Sequence, residues 1–339
     1  MKKDERLRAE TFMLQCIADE EPDFVERTIA EFGVSKSTVY NYLTTLQKNG
    51  EVERVGGSMP YRILYQTSRF TIDTSRDRSE DRLFNRDIAP LLADLPANVQ
   101  KIWRYAITAM VNNAMEHSRA SAIVCVVSRS RLSTIVGILD NGVGIFRRIG
   151  QDYKEKNGEV LTVEEAASLL YAGGYSSAPD THAGEGIFFT SRLMDHFVIR
   201  SDLHLFTPNV ADADEDDGGE RFRGTAVQMA LANDSARELS AVMAEYIDPE
   251  EGFVRTEIPV ARFFAGGYPM SRSEARRLFA VLSGFREATL DFSGVEEIGP
   301  DFAHELFGVI ARQSAEPHLR ALNTAPAVEA TLRRAIERA

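Results

Sequence analysis

The chain has 339 residues, 44% of them hydrophobic and 27% charged, with a net charge of −12. This mixture suits a globular chain of two or three domains and excludes wholesale disorder, fibrous architectures and a uniformly basic nucleic-acid binder. No apolar run approaches the roughly 20 residues of a membrane helix, and with the charged start Met1-Lys-Lys-Asp-Glu and no apolar region after it secretion is not expected. Cys16 and Cys125 are far apart, each in an apolar pattern, so neither a disulfide framework nor a zinc site is expected. A cytoplasmic location and no contact with membranes are expected.

In chain order, residues 5–19 read as an amphipathic helix, with Leu7, Phe12, Leu14 and Ile17 at helical spacing. Asp23 is placed to cap a second helix running to Phe32, which Gly33 ends, and Ser35 to cap a third, Lys36–Lys48. Asn49-Gly50 then opens a hairpin, Glu51–Tyr65, turning at Gly56-Gly57. A short strand, Arg69–Ile72, is followed by a charged stretch, Asp73–Arg82. A long helix is expected over Val99–His117, then strands over Ala122–Ser128 and Thr134–Asp140. Glycines are dense from Gly142 to Gly186. The run Ala211–Glu220 holds six acids in ten positions and reads as a solvated loop. It precedes a strand, Gly224–Ala230. Past residue 235, Arg255–Phe263, Ser271–Leu282, Ala288–Phe292, Phe302–Arg312 and Ala327–Ile336 alternate as strand and helix, a small βα unit.

Four motifs between Ala106 and Thr225 carry chemistry. They are the helical Ala109-Met-Val-Asn112-Asn113-Ala-Met-Glu-His117, the strand-ending Asp140-Asn-Gly142-Val-Gly144, the helix-opening Gly184-Glu-Gly186-Ile, and Gly224-Thr225 at a strand start. A carboxylate followed by Gly-x-Gly can accept a hydrogen bond from an exocyclic amine while bare backbone approaches a flat ring. Glycines before a helix N-terminus expose N–H groups and the positive end of the helix dipole to phosphate. An Asn on a facing helix offers an oxygen to Mg²⁺.

All four motifs, in this order, resemble the GHKL ATPase family, over roughly residues 69–235. The resemblance implies that Asn113 binds Mg²⁺ and Asp140 binds the adenine amino group. It implies that Gly142 and Gly144 floor the adenine pocket, that Gly184 and Gly186 hold the phosphates, and that Thr225 supports Asp140. Asn112, His117, Ser176 and Ser177 are further candidates near ATP, and the glycine-punctuated stretch from about 144 to 184 is expected to form a lid. Members that hydrolyse ATP or phosphorylate serine carry a glutamate four residues before the Mg²⁺-binding Asn, as general base. Here that position is Ala109, whose methyl group takes no proton; Thr108 is a poor substitute and Glu116 lies two turns away. The resemblance therefore implies a chain that binds ATP and Mg²⁺ but hydrolyses weakly. Whether Ala109 is native, or stands where a parent ATPase has glutamate, stays open.

The N-terminal order of helices and hairpin is similar to winged helix-turn-helix domains of bacterial regulators. From Ser35 to Ser68 there are four bases and two acids. Ser35, Lys36, Ser37, Tyr40 and Asn41 are the expected contacts to DNA, with Lys48, Arg54 and Arg62 on its backbone. Thr289-Leu-Asp-Phe-Ser293-Gly-Val-Glu-Glu-Ile298 resembles the central strand and turn of STAS domains, and Asn323-Thr-Ala-Pro326 a later loop of theirs. Pro300 occupies the position of their phosphorylated serine, so Ser293 is read as a turn residue.

The expected architecture is therefore multidomain α+β: a winged helix over 1–68, a GHKL (Bergerat) α/β sandwich over 69–235 and a STAS-like α/β unit over 236–339. The expected function is an ATP-binding bacterial regulator that couples nucleotide state to DNA binding, as a homodimer, with a protein partner at the STAS-like surface. An anti-sigma-type Ser/Thr kinase and an ATPase component of a defence or DNA-processing assembly are the alternatives.

Overall fold

The computed structural model describes residues 3–57, 60–74, 83–158, 160–173, 185–208, 222–264, 268–313 and 316–338. Its elements gather around three hydrophobic cores.

The first core joins α1 (Lys3–Ala18), α2 (Phe24–Phe32) and α3 (Lys36–Lys48) to an antiparallel pair, β1 (Val52–Arg54) and β2 (Tyr61–Ile63). Gly33 ends α2 in the left-handed region, φ 61°, and its N–H reaches the Ile29 carbonyl at 2.9 Å. The Ser35 hydroxyl caps α3 by accepting from the Thr38 N–H at 3.2 Å. Asp23 stands at the N-cap position of α2 but makes no side-chain capping bond. One face of α3, Val39, Tyr42, Leu43 and Leu46, is buried against Met13, Leu14, Ile17 and Phe24. The opposite face is left to solvent.

The second core lies on a six-stranded antiparallel sheet of β3 (Gln66–Asp73), β4 (Ala122–Arg129), β5 (Ser133–Asp140), β6 (His196–Asp202), β7 (His204–Phe206) and β8 (Phe222–Ala232), in the order β3-β4-β5-β8-β6-β7. The strands alternate between core and surface, as in β5, where Thr134, Val136, Ile138 and Asp140 are the buried set. The long helix α4 (Ala97–His117) packs on it through Val99, Ile102, Trp103, Ala106, Ile107, Met110, Val111 and Ala114.

The expected lid looks different in its described part. Residues 145–172 contain two helices, α5 (Ile145–Asn157) and α6 (Val163–Ala172), whose Phe146, Ile149, Ala166, Leu169 and Leu170 are buried in the second core. Gly158 and Gly173 have φ 73° and 79° and end these helices as left-handed C-caps. There the glycines stop helices rather than loosen a loop. Thr162 and Glu165 form a reciprocal capping box that starts α6. Residues 174–184 lie outside the described residues. So do most of the charged stretch 73–82 and the acidic run 211–220.

After α7 (Glu185–Leu193), β6, β7 and β8, helix α8 (Leu239–Tyr246) leads to a short antiparallel pair, β9 (Ile247–Asp248) and β10 (Gly252–Phe253). The third core follows on a three-stranded parallel sheet, β11 (Arg255–Pro259), β12 (Glu287–Asp291) and β13 (His318–Leu322), with α9 (Arg272–Leu282), a helical run over 300–313 and α10 (Pro326–Arg338). The strand β13 has no counterpart in the sequence reading. It is an edge strand with a mostly exposed pattern, so its apolar content does not mark it.

Candidate functional site

One face of α4 stays out of the core and borders a cavity of about 700 Å³. Along it, at spacings of three and four, stand Lys101, Tyr105, Thr108, Ala109, Asn112, Asn113, Glu116 and His117. The other walls are the ends of β5 and β8 at Asp140 and Thr225, the first turns of α5 at Ile145 and Arg148, the α6 side chains Leu169 and Leu170, and the start of α7 at Glu185 and Gly186.

Asp140 lines the cavity where β5 ends. It is buried, and its Oδ1 accepts from the Gly142 N–H at 2.8 Å. In the antiparallel register it faces Thr225, whose hydroxyl and backbone also bond to it. Burial raises the carboxyl pKa, and these hydrogen bonds oppose the rise. The Thr225 hydroxyl also accepts from the Ile145 N–H at 3.0 Å, tying the start of α5 to the same point.

Gly142 and Gly144 stand behind this carboxylate rather than on the cavity wall. A Cβ on Gly142 would fall onto the Ser118 carbonyl, which accepts from the Val143 N–H at 2.8 Å. Gly144 has φ 87°, and a Cβ there would strike the Ser201 hydroxyl. Together they let the chain turn tightly between β5 and α5, beneath the end of α4. Gly186 is a close-approach glycine: a Cβ would lie 3.3 Å from the Ala109 Cβ and 3.8 Å from Asn113 Nδ2. Helices α4 and α7 therefore meet at this point.

Ala109, Asn112, Asn113, His117, Asp140, Gly186 and Thr225 thus border one cavity, although they come from four separate stretches of chain. Ser176, Ser177 and Gly184 lie outside the described residues. The sequence reading did not single out Lys101, Arg104, Tyr105, Arg148, Asp152 or Glu185, which also line the cavity. The ion pair of Arg148 with Asp152, 3.1 Å, is an i,i+4 pair on α5 that the spacing alone contains. Thr108 Oγ1, Arg148 Nε and Asp152 Oδ2 are buried and make no hydrogen bond among the described residues, so this part of the cavity wall carries unspent polar atoms.

The expected DNA contacts Ser35, Lys36, Ser37, Tyr40, Asn41, Lys48, Arg54 and Arg62 are all exposed. Several have local partners. The Ser35 hydroxyl, besides capping α3, lies 2.8 Å from that of Ser37. Lys36 is 3.6 Å from Glu26, and Arg62 pairs with Glu53.

At the C-terminal ends of the parallel strands, Asp291 Oδ1 accepts from the Ser293 N–H at 2.9 Å, the Ser293 hydroxyl at 2.8 Å and Asn323 Nδ2 at 2.9 Å. The Ser293 hydroxyl is therefore engaged in a turn. Pro300 occupies the first position of its helix, where a missing N–H costs nothing.

A family model described as a STAS-like domain of unknown function (DUF4325) matches residues 274–329. This range runs from α9 through β12 and β13 into α10. No curated protein matches the chain. Among the described residues no helix is long and apolar enough to cross a membrane, and no group of three or more His, Cys, Asp or Glu side chains is placed to hold a metal ion.

Proposed function

We propose that the cavity binds ATP with Mg²⁺, and that this bacterial-type regulator couples the bound nucleotide to DNA binding by its N-terminal helices. The observation that carries the reading is the braced carboxylate of Asp140 in the wall of a cavity of about 700 Å³ that Asn113 also lines. The Gly142 N–H and the backbone and hydroxyl of Thr225 hold Asp140 in place, and its remaining acceptor capacity suits an exocyclic amine. The start of α7 and the cations Lys101, Arg104 and Arg148 are the groups of the lining suited to a polyphosphate, beside the carboxylates Glu116, Asp140, Asp152 and Glu185.

Asn113 is the side chain suited to a magnesium ion, with phosphate oxygens and water completing the shell, a donor set this ion commonly accepts. When bound, the ion would neutralise phosphate charge. The unspent Thr108 hydroxyl and Asp152 oxygen are further polar groups for the nucleotide or its water shell.

The N-terminal unit fits a winged helix-turn-helix: the exposed face of α3 offers Lys36, Tyr40 and Asn41, and the hairpin follows directly. The C-terminal sheet fits a STAS-like docking surface for a protein partner. Pro300 offers no hydroxyl, so phosphorylation at that position is not part of the proposal.

Two measurements test the reading. Calorimetry should show ATP binding that Asp140→Asn weakens about tenfold or more, since a hydrogen bond to a charged group contributes about 1.5–3 kcal/mol. Equal binding by the variant would overturn the site. Anisotropy on duplex DNA, with and without ATP, should then show two affinities. A single affinity would leave ATP binding in place and remove the coupling.

A further inference from the structure

We propose that Glu185 is the carboxylate that activates the attacking water when this chain hydrolyses ATP, standing in for the side chain that Ala109 lacks. The inference rests on the ATP reading of the cavity. It begins with the contact between Gly186 and Ala109. The first turn of α7 lies directly over the 109–113 turn of α4, because Gly186 carries no side chain to hold the helices apart. Glu185 is the residue before it and opens α7. It lines the cavity and is only partly exposed. Its charge reaches the phenol of Tyr105, one helical turn before Ala109 on the same face of α4. Glu185 thus stands where the start of α7 crosses the 105–113 stretch of α4, and it lines the cavity together with Tyr105 and Ala109.

The other carboxylates of the cavity are engaged or distant. Asp140 is held by Gly142 and Thr225. Asp152 pairs with Arg148 at 3.1 Å. Glu116 lies seven residues beyond Ala109, about 10 Å along the helix axis, and stands 3.8 Å from His117. Glu185 has no ion pair or hydrogen bond among the described residues. Burial raises its pKa, which makes it the better proton acceptor once ionised.

In the step itself, a water oxygen forms a bond to the γ-phosphorus. The bond from that phosphorus to the β,γ-bridging oxygen breaks, and ADP leaves with the electron pair. Glu185 takes the proton that the water loses and releases it to solvent as inorganic phosphate departs.

The test uses the full chain with Mg²⁺ and ATP, measuring phosphate release and, separately, ATP affinity by calorimetry. Glu185→Gln should cut phosphate release about a hundredfold. It should bind ATP as tightly as the parent or more so, because the amide removes a negative charge beside the terminal phosphate. Glu185→Asp should restore part of the rate, and thermal melts of both variants that match the parent would separate this from a role in starting the helix, which a retained carboxylate would also serve. Parent-like turnover by Glu185→Gln, or no phosphate release from the parent chain, overturns the proposal. If ATP affinity still depends on Asp140 in either case, the nucleotide site stands and only the role of Glu185 falls.

Discussion

Gly142 has no room for a side chain. Its N–H is spent on Asp140 Oδ1, and the space where a Cβ would sit holds the Ser118 carbonyl at the end of α4. The obstacle is main chain, itself bonded to the Val143 N–H, so it cannot swing away as a long side chain could. Gly142→Ala should therefore destabilise the fold by about 1–3 kcal/mol, the range for overpacking a closed position. Urea unfolding would read this as a lower midpoint with an unchanged slope. Stability near that of the parent would mean that the β5–α5 turn can open at little cost. The Asp-x-Gly-x-Gly pattern was legible in the sequence because its residues are neighbours in the chain, although the groups that leave no room for side chains there, the Ser118 carbonyl and the Ser201 hydroxyl, come from elsewhere. Glu185 was not, since its place beside Ala109 depends on how closely α7 crosses α4, and nothing near residue 185 in the chain encodes that crossing.

At the scale of elements, α3 separates two roles that lie side by side. Ser35 caps the helix, whereas Lys36 and Lys48 stand on its solvent face with little structural duty. Ser35→Ala should cost about 1 kcal/mol of stability. Lys36→Ala and Lys48→Ala should leave the melting temperature in place, weaken duplex binding and lower its salt slope by about one each. Anisotropy over a salt series beside thermal melts would separate the two. A salt slope unchanged by both lysine variants would move the nucleic-acid surface off α3. Helices and strands that bury a regular face were readable in advance: α4 shows its core at three- and four-residue spacing, and β5 alternates strictly. Where the reading left elements unresolved, the cause was physical. Glycines at 158 and 173 are helix stops, but in sequence a stop and a flexible joint look alike. The strand β13 earns its place from parallel pairing with β12, in a register that gives it little buried surface of its own.

Across the whole molecule, the cavity wall is shared. Leu169 and Leu170 of α6 face the cavity, while Ala172, two residues on, belongs to the third core. Its carbonyl accepts from the Thr256 hydroxyl of β11 at 2.7 Å, and Glu165 of α6 pairs with Arg277 of α9. From α7, the buried guanidinium of Arg192 lies over the Phe188 ring and donates to the Glu257 carbonyl of β11 at 3.0 Å. Two of the helices that wall the cavity, α6 and α7, are thus bonded to one edge strand of the C-terminal sheet. The N-terminal helices attach elsewhere, where Arg131 in the β4–β5 turn reaches Glu10 at 3.3 Å and Glu51 at 2.6 Å. A ligand that orders α6 and α7 should therefore order β11 as well, and by linkage a change at that contact must alter ligand affinity. Hydrogen exchange on the full chain should show ATP slowing amides in both 163–173 and 255–259. Thr256→Val together with Arg192→Met removes both side-chain bonds between these helices and β11. The double variant should remove the protection of 255–259, retain that of 163–173, and shift ATP affinity in the direction of the lost coupling. Protection confined to 163–173 in the parent chain would show instead that the C-terminal sheet is indifferent to the nucleotide, its contacts with the cavity wall serving stability alone.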